Sequence, residues 1–125
     1  MTLHYADTQA IRDLLDQYFQ AVGRADTGAL QKIFLPESSM YGFLGEQVLA
    51  GSVEPFYSYL TERPSMVEQK IDCTYVVKSI QVDGRIAAAS TLMDNFFGSM
   101  SVENLFHLVK LDGCWHIACH TFTSL

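Results

Sequence analysis

Positive charge is scarce in this chain: eight Lys and Arg stand against fourteen Asp and Glu, a formal net charge of -6, and the basic residues are scattered singly. Phosphate backbones are held by clustered cations that displace condensed counterions, so nucleic acid is not an expected partner. Cysteine is sparse too. Cys73, Cys114 and Cys119 are an odd number without CxxC spacing, which suggests neither a disulfide framework nor a zinc knuckle, and the thiols read as small buried hydrophobes. No glycine-rich loop opens a helix in a P-loop pattern and no GxSxG occurs, so phosphate cradling and a serine nucleophile are not indicated. No apolar run approaches the ~18 residues of a membrane span. The opening "MTLHYADTQAIRD" has no basic stretch ahead of an apolar run, and a soluble cytoplasmic protein without a membrane partner is expected.

What is present suits one buried core. In 125 residues, 49% are apolar and 12% aromatic, which predicts a single domain over 1–125. In "DTQAIRDLLDQYFQAV" the residues Ile11, Leu14, Leu15, Tyr18, Phe19 and Val22 recur at the spacing of one helical face, with Asp7 or Thr8 available as a cap and Gly23 as a stop. A second helix, capped by Asp26 or Thr27, carries Leu30, Ile33 and Phe34 and ends at Pro36. "SSMYGFLGEQVLAG" reads as a short strand and turn. A third helix is expected from a Ser52 cap, with Pro55 in its first turn and Pro64 closing it.

Beyond Pro64, β-branched and aromatic residues dominate, and "VDGR" and "LDGC" divide the remainder into strands of about 67–82, 85–97, 101–111 and 115–123. These predict an antiparallel meander. Three helices followed by a strongly bent antiparallel sheet define an α+β domain with the helices packed on the concave face.

The segment "HLVKLDGCWHIACH" holds three histidines, and the register of its hairpin decides where they point. A two-residue Asp112-Gly113 turn would put His107, His116 and His120 on one face. Even there His116 and His120 would lie roughly 13 Å apart at ~3.3 Å per residue. A metal needs each nitrogen about 2 Å away, so no metal site is expected. A three-residue loop with a glycine bulge pairs His107 with Ile117 and sends Lys110 to the side away from Trp115 and Ile117, sparing the ammonium desolvation. This register is favoured here. It aims His107 at the core with Leu105, Val109 and Trp115, and turns His116 and His120 outward beside Phe106, Leu108, Ala118 and Phe122. So much apolar surface on the outer side predicts a homodimer through the sheet.

"YFQAVGRADTGALQKIF", followed near the end by "LVKLDGCWHIACHTF", resembles the nuclear transport factor 2-like superfamily over nearly the whole chain, most closely its lumazine-binding and polyketide cyclase-like branches. The resemblance implies a cystatin-like cone of three helices on a bent sheet, with dimers through the sheet common. Its ketosteroid isomerases form an oxyanion hole from a tyrosine on the first helix and an acid on the next-to-last strand. Those positions correspond here to Tyr18 and His107. The isomerase carboxylate on the first strand corresponds to Gly42, so the proton-shuttling group of that chemistry is missing.

Tyr18 is therefore either a core aromatic or a donor to a ligand carbonyl or oxyanion. His107 is either a satisfied core histidine or a pocket group that titrates near neutral pH and moves a proton. Asn95 shares the parity of Ala87, Ala89, Thr91 and Met93 and is placed to read a polar edge near the mouth. Tyr41, Phe56, Tyr59, Phe97 and Trp115 are candidates for an apolar wall against a flat molecule. The expectation is a protein that binds a small apolar or aromatic molecule in a cone pocket carrying a Tyr/His pair, with no cofactor implied. The alternatives are a cofactor-independent lyase or isomerase using His107 as general acid/base, and a dimerisation module with a closed core.

Overall fold

The computed structural model describes residues 3–125. Helix α1 spans Leu3–Arg24 and α2 spans Thr27–Ile33; then come β1 (Phe34–Leu44), β2 (Gln47–Gly51), α3 (Glu54–Thr61), β3 (Thr74–Asp83), β4 (Ile86–Phe96), β5 (Met100–Leu111) and β6 (Cys114–Ser124). The six strands form one open sheet in the order β2-β1-β6-β5-β4-β3. The expected meander of the last four strands is present. The sheet is mixed rather than wholly antiparallel, because β1 runs parallel to β6.

Helix α1 buries the stripe Ile11, Leu15, Tyr18 and Val22, each at most 1% exposed, against one face of the sheet. Gly23 does not stop the helix. The chain turns at Ala25, which takes a left-handed φ of 54°, while Asp26 N–H donates back to Ala21 O at 2.9 Å in a C-terminal cap. Asp26 then caps α2, its Oδ1 accepting from Ala29 N–H at 3.1 Å. The helix ends at Ile33 rather than at Pro36. Phe34 is already extended, and Pro36 sits where the β1 ladder to β6 is interrupted between Phe34 and Ser39, the one stretch where a missing donor costs no bond. Strand β1 is thus long. Ser52 Oγ accepts Glu54 N–H at 3.3 Å ahead of α3, and Pro55 occupies its first turn. Of the residues expected to begin β3 at 67, 67–70 form a turn and 71–73 have no regular structure, so the strand starts at Thr74.

Asp7 is not a cap, since α1 already begins at Leu3. Its Oδ1 accepts from Lys110 Nζ at 2.9 Å and from the Trp115 indole N–H at 3.1 Å, tying α1 to the β5–β6 tip. These two bonds, Lys110 first, hold the Asp7 carboxyl below the usual range.

The hairpin begins in the two-residue register, not the favoured three-residue one, and leaves it after Ile117. Asp112 and Gly113 form a two-residue turn with φ of 49° and 81°, the left-handed pair such a turn needs, and Leu111 faces Cys114. Pairing continues through Leu108 and Ile117. It then skips Ala118, so that His107 faces Cys119 and Phe106 faces His120. The extra residue is a β-bulge, and it exchanges the two faces of β6 beyond it. On the helix side lie Trp115 and Ile117 before the bulge, His120 and Phe122 after it, opposite Leu108, Phe106 and Asn104. Lys110 escapes desolvation differently from the way expected: it stays on Trp115's side and meets Asp7.

Candidate functional site in the cone

His107 does not enter the core; it is exposed on the outer face, among Leu105, Val109 and Leu111. The imidazole facing Tyr18 is that of His120, 1% exposed. Its ring stacks on Phe106 (centroids 4.4 Å apart, planes at 17°) and packs against Phe122 at 4.9 Å. Tyr18 approaches edge-on at 5.8 Å and Phe56 at 6.3 Å. His120 Nε2 lies 2.9 Å from Asn104 Oδ1. Because an amide oxygen only accepts, this contact makes Nε2 the protonated nitrogen and leaves Nδ1 with a free lone pair.

Burial among aromatic rings disfavours the imidazolium and pushes the His120 pKa down to about 3. The same cause, then the neighbouring Cys73 and Tyr57, pushes the Tyr18 phenol upward, and burial raises Cys73 to about 11. The interior is thus uncharged at neutral pH. It is not fully satisfied, however: His120 Nδ1, Asn104 Nδ2 and Thr91 Oγ1 are buried without a partner. Thr91 lies directly opposite Asn104 across the β4–β5 ladder, and both are at most 2% exposed. Buried polar atoms are nearly always paired, so three orphans on one sheet face are a functional signal.

A cavity of about 270 Å³ opens between the C-terminal half of α1, the 66–75 segment and β4, lined by Phe19, Val22, Met66, Ile71, Cys73, Met93 and their neighbours. Met93 is the buried end of it, and Thr91 is the next inward residue on β4, roughly 7 Å further at ~3.3 Å per residue. Phe19 stacks on Tyr75 at 3.9 Å along its edge, and the Tyr75 hydroxyl donates to Asp16 at 2.6 Å.

The other sequence-selected residues are dispersed. Phe56 joins the His120 cluster. Tyr59 is buried nearby but stacks on Phe96 and is covered by the Arg63 guanidinium at 3.9 Å, with Phe97 edge-on at 5.8 Å. Asn95 is exposed near the end of β4, where the ladder to β5 is interrupted between Met93 and Phe96, at a φ of 63°, and its Nδ2 donates to Asp72 O at 3.0 Å. Trp115 is buried at the hairpin tip on Asp7, and Tyr41 is 54% exposed on the outer face. Phe106, Leu108 and Phe122, expected outward, are core. A Cβ on Gly42 would collide with the Phe122 ring, so at the isomerase-like carboxylate position this chain has an aromatic ring pressed on bare backbone.

Asn104, Thr91 and His120 were not singled out from the sequence. One signal was available for His120: large apolar residues of β6 change from odd positions, Trp115 and Ile117, to the even Phe122, a parity switch that only an inserted residue produces. Among the described residues, no group of three or more His, Cys, Asp or Glu is placed to hold a metal ion, and no helix is long and apolar enough to cross a membrane.

The helix-covered open sheet has the fold of solved nuclear transport factor 2-like proteins. An NTF2-like protein of unknown function from Silicibacter pomeroyi superposes with a TM-score of 0.85 at 22% identity, covering 97% of this chain and 98% of that one. One from Shewanella baltica gives 0.83 at 18% identity, over 98% and 96%. A ketosteroid isomerase-like protein from Erwinia carotovora gives 0.69 at 18% identity, over 94% and 95%. At such identities the likeness shows the fold alone. The family described as "Putative lumazine-binding" matches residues 6–123, and the chain belongs to it. No curated protein matches the sequence.

Proposed function

We propose that this protein binds a small, flat, aromatic or polyketide-like molecule inside the cone, with Tyr18, Asn104 and His120 meeting its polar atoms. The observation that carries this reading is the set of three buried, unpartnered polar atoms, His120 Nδ1, Asn104 Nδ2 and Thr91 Oγ1, in a packed core otherwise made of aromatic rings, beyond the end of the cavity at Met93. Leaving each unpaired costs about 1–3 kcal/mol, a penalty that a ligand supplying the missing partners removes. The cavity ending at Met93 supplies the way in, and methionine is the side chain that yields most easily to an incoming group.

Proton-transfer chemistry is the weaker reading. His107 points away from Tyr18, Gly42 supplies no carboxylate, and an imidazole with a pKa near 3 is a poor general base at neutral pH. The test is a lumazine titration followed by ligand fluorescence and by melting temperature, in the wild type and in His120→Phe. Saturable binding with a raised Tm in the wild type, lost in the variant, is expected; an identical response in both would remove His120 from the site.

The outer face supports the partner proposed for it, a second copy of the chain. Tyr41, Phe43 and Leu105 are 54%, 44% and 49% exposed, and with Thr121 and Thr123 they edge a shallow groove of about 570 Å³. Three free thiols suit the reducing cytosol, which we propose as the location.

A further inference from the structure

We infer that the occupant of the cone is an uncharged molecule carrying both an N–H or O–H donor and a carbonyl acceptor, the pattern of a lactam or imide, rather than a simple ketone or an anion. This rests on the binding reading above and deepens it. The bond from His120 Nε2 to Asn104 Oδ1 fixes the polarity of the whole cluster. His120 Nδ1 is left as an acceptor and asks for a donor on the ligand. Asn104 Nδ2 is left as a donor and asks for an acceptor, while Thr91 Oγ1 can serve as either. A ketone answers only the second demand. It would leave the imidazole lone pair buried and unpaired, the situation that lets a polar site reject an otherwise isosteric ligand.

Charge is excluded by the surroundings. Facing the cluster from α1 is Tyr18, from α3 Phe56, and from the sheet Phe34, Phe106 and Phe122; Cys73 and Tyr57, the titratable groups that act on the Tyr18 phenol, are themselves held neutral by burial. The ion pair of Asp7 and Lys110 sits at the hairpin tip, and that of Lys78 and Glu103 on the outer face. An anion entering the interior would lose its hydration with no cation to replace it.

Two measurements on the full chain test this. Nitrogen-15 NMR of histidine-labelled protein should show His120 as the neutral Nε2–H tautomer, unchanged between about pH 5 and 8. A Nδ1–H tautomer would reverse the donor and acceptor roles and overturn the inference. Binding is then compared for phthalimide, N-methylphthalimide and phthalate, which share one flat ring system. Phthalimide should bind best, N-methylation should weaken it roughly tenfold or more, and phthalate should not bind. Equal affinity for the N-methyl compound, or preference for phthalate, overturns the ligand class and leaves the binding reading standing. Silence from all three beside a flat lumazine titration removes both.

Discussion

The two halves of the β5–β6 hairpin obey opposite parities, and one residue separates them. Near the tip, odd positions of β6 face the helices: Trp115 and Ile117. Past Ala118 the even positions do, His120 and Phe122, while β5 keeps Leu108, Phe106 and Asn104 inward throughout. The tip half is held by a charge, Asp7 meeting Lys110 and Trp115 at the surface. The far half is held by aromatic packing around a neutral imidazole. Leaving Ala118 unpaired thus turns His120 toward Tyr18, where an unbroken ladder would send all three histidines outward, and its local cost is the loss of one ladder pairing.

The largest effect should come from setting the two halves against each other. Ala118 is the unpaired residue, so deleting it alone leaves a regular ladder that still pairs Leu108 with Ile117 and Phe106 with His120 and keeps all four inward side chains in place. Deleting Ala118 and Cys119 together would put the halves out of phase, exposing either Trp115 and Ile117 or His120 and Phe122. Burying a large apolar side chain is worth ~1.5–3 kcal/mol, and at least two change sides, so the double deletion should eliminate cooperative thermal unfolding while the single deletion retains it. A double-deletion variant melting like the wild type would mean that the ladder does not set which side chains are buried.

The second prediction concerns the far half alone. His120 is neutral when folded, with its pKa lowered to about 3, and returns to about 6.5 when unfolded. The unfolded chain therefore binds the extra proton between those values. The stability this group contributes is complete above about pH 6.5 and falls as pH drops toward 3, by at most ~1.4 kcal/mol per unit. Urea titrations from pH 7 to 4 should show that slope reduced in His120→Phe; an unchanged slope would assign the acid sensitivity to carboxylates. The smallest effect should be at His107. Exposed and on the opposite side, His107→Leu should change stability by no more than about 0.5 kcal/mol and leave the lumazine response intact.

The architecture was legible because periodicity is a local property. The stripe Ile11, Leu15, Tyr18 and Val22 announces a helix buried on one face, the Asp26 cap marks the next, and the two "DG" pairs locate hairpin turns. The site was legible only in half. Tyr18 follows from the helix, and Phe56 from α3, but the histidine was assigned to the wrong side of the sheet. Lys110 misled the assignment: an ammonium beside Trp115 is costly unless a carboxylate meets it, and the one that does lies 103 residues away on α1. Asn104 and Thr91 were invisible as site residues, since their significance lies in being adjacent across a ladder and unpartnered, and neither property belongs to a single strand.

By itself, then, the sequence determined the elements, their order and the family's architecture, because hydrophobic period, caps and turn residues act over a few positions. Tertiary structure alone decided which imidazole is buried, which polar atoms are left without partners, and that a phenylalanine ring occupies the space above Gly42. Those outcomes depend on strand register and on contacts between distant segments, where one inserted residue reverses the direction of every side chain beyond it.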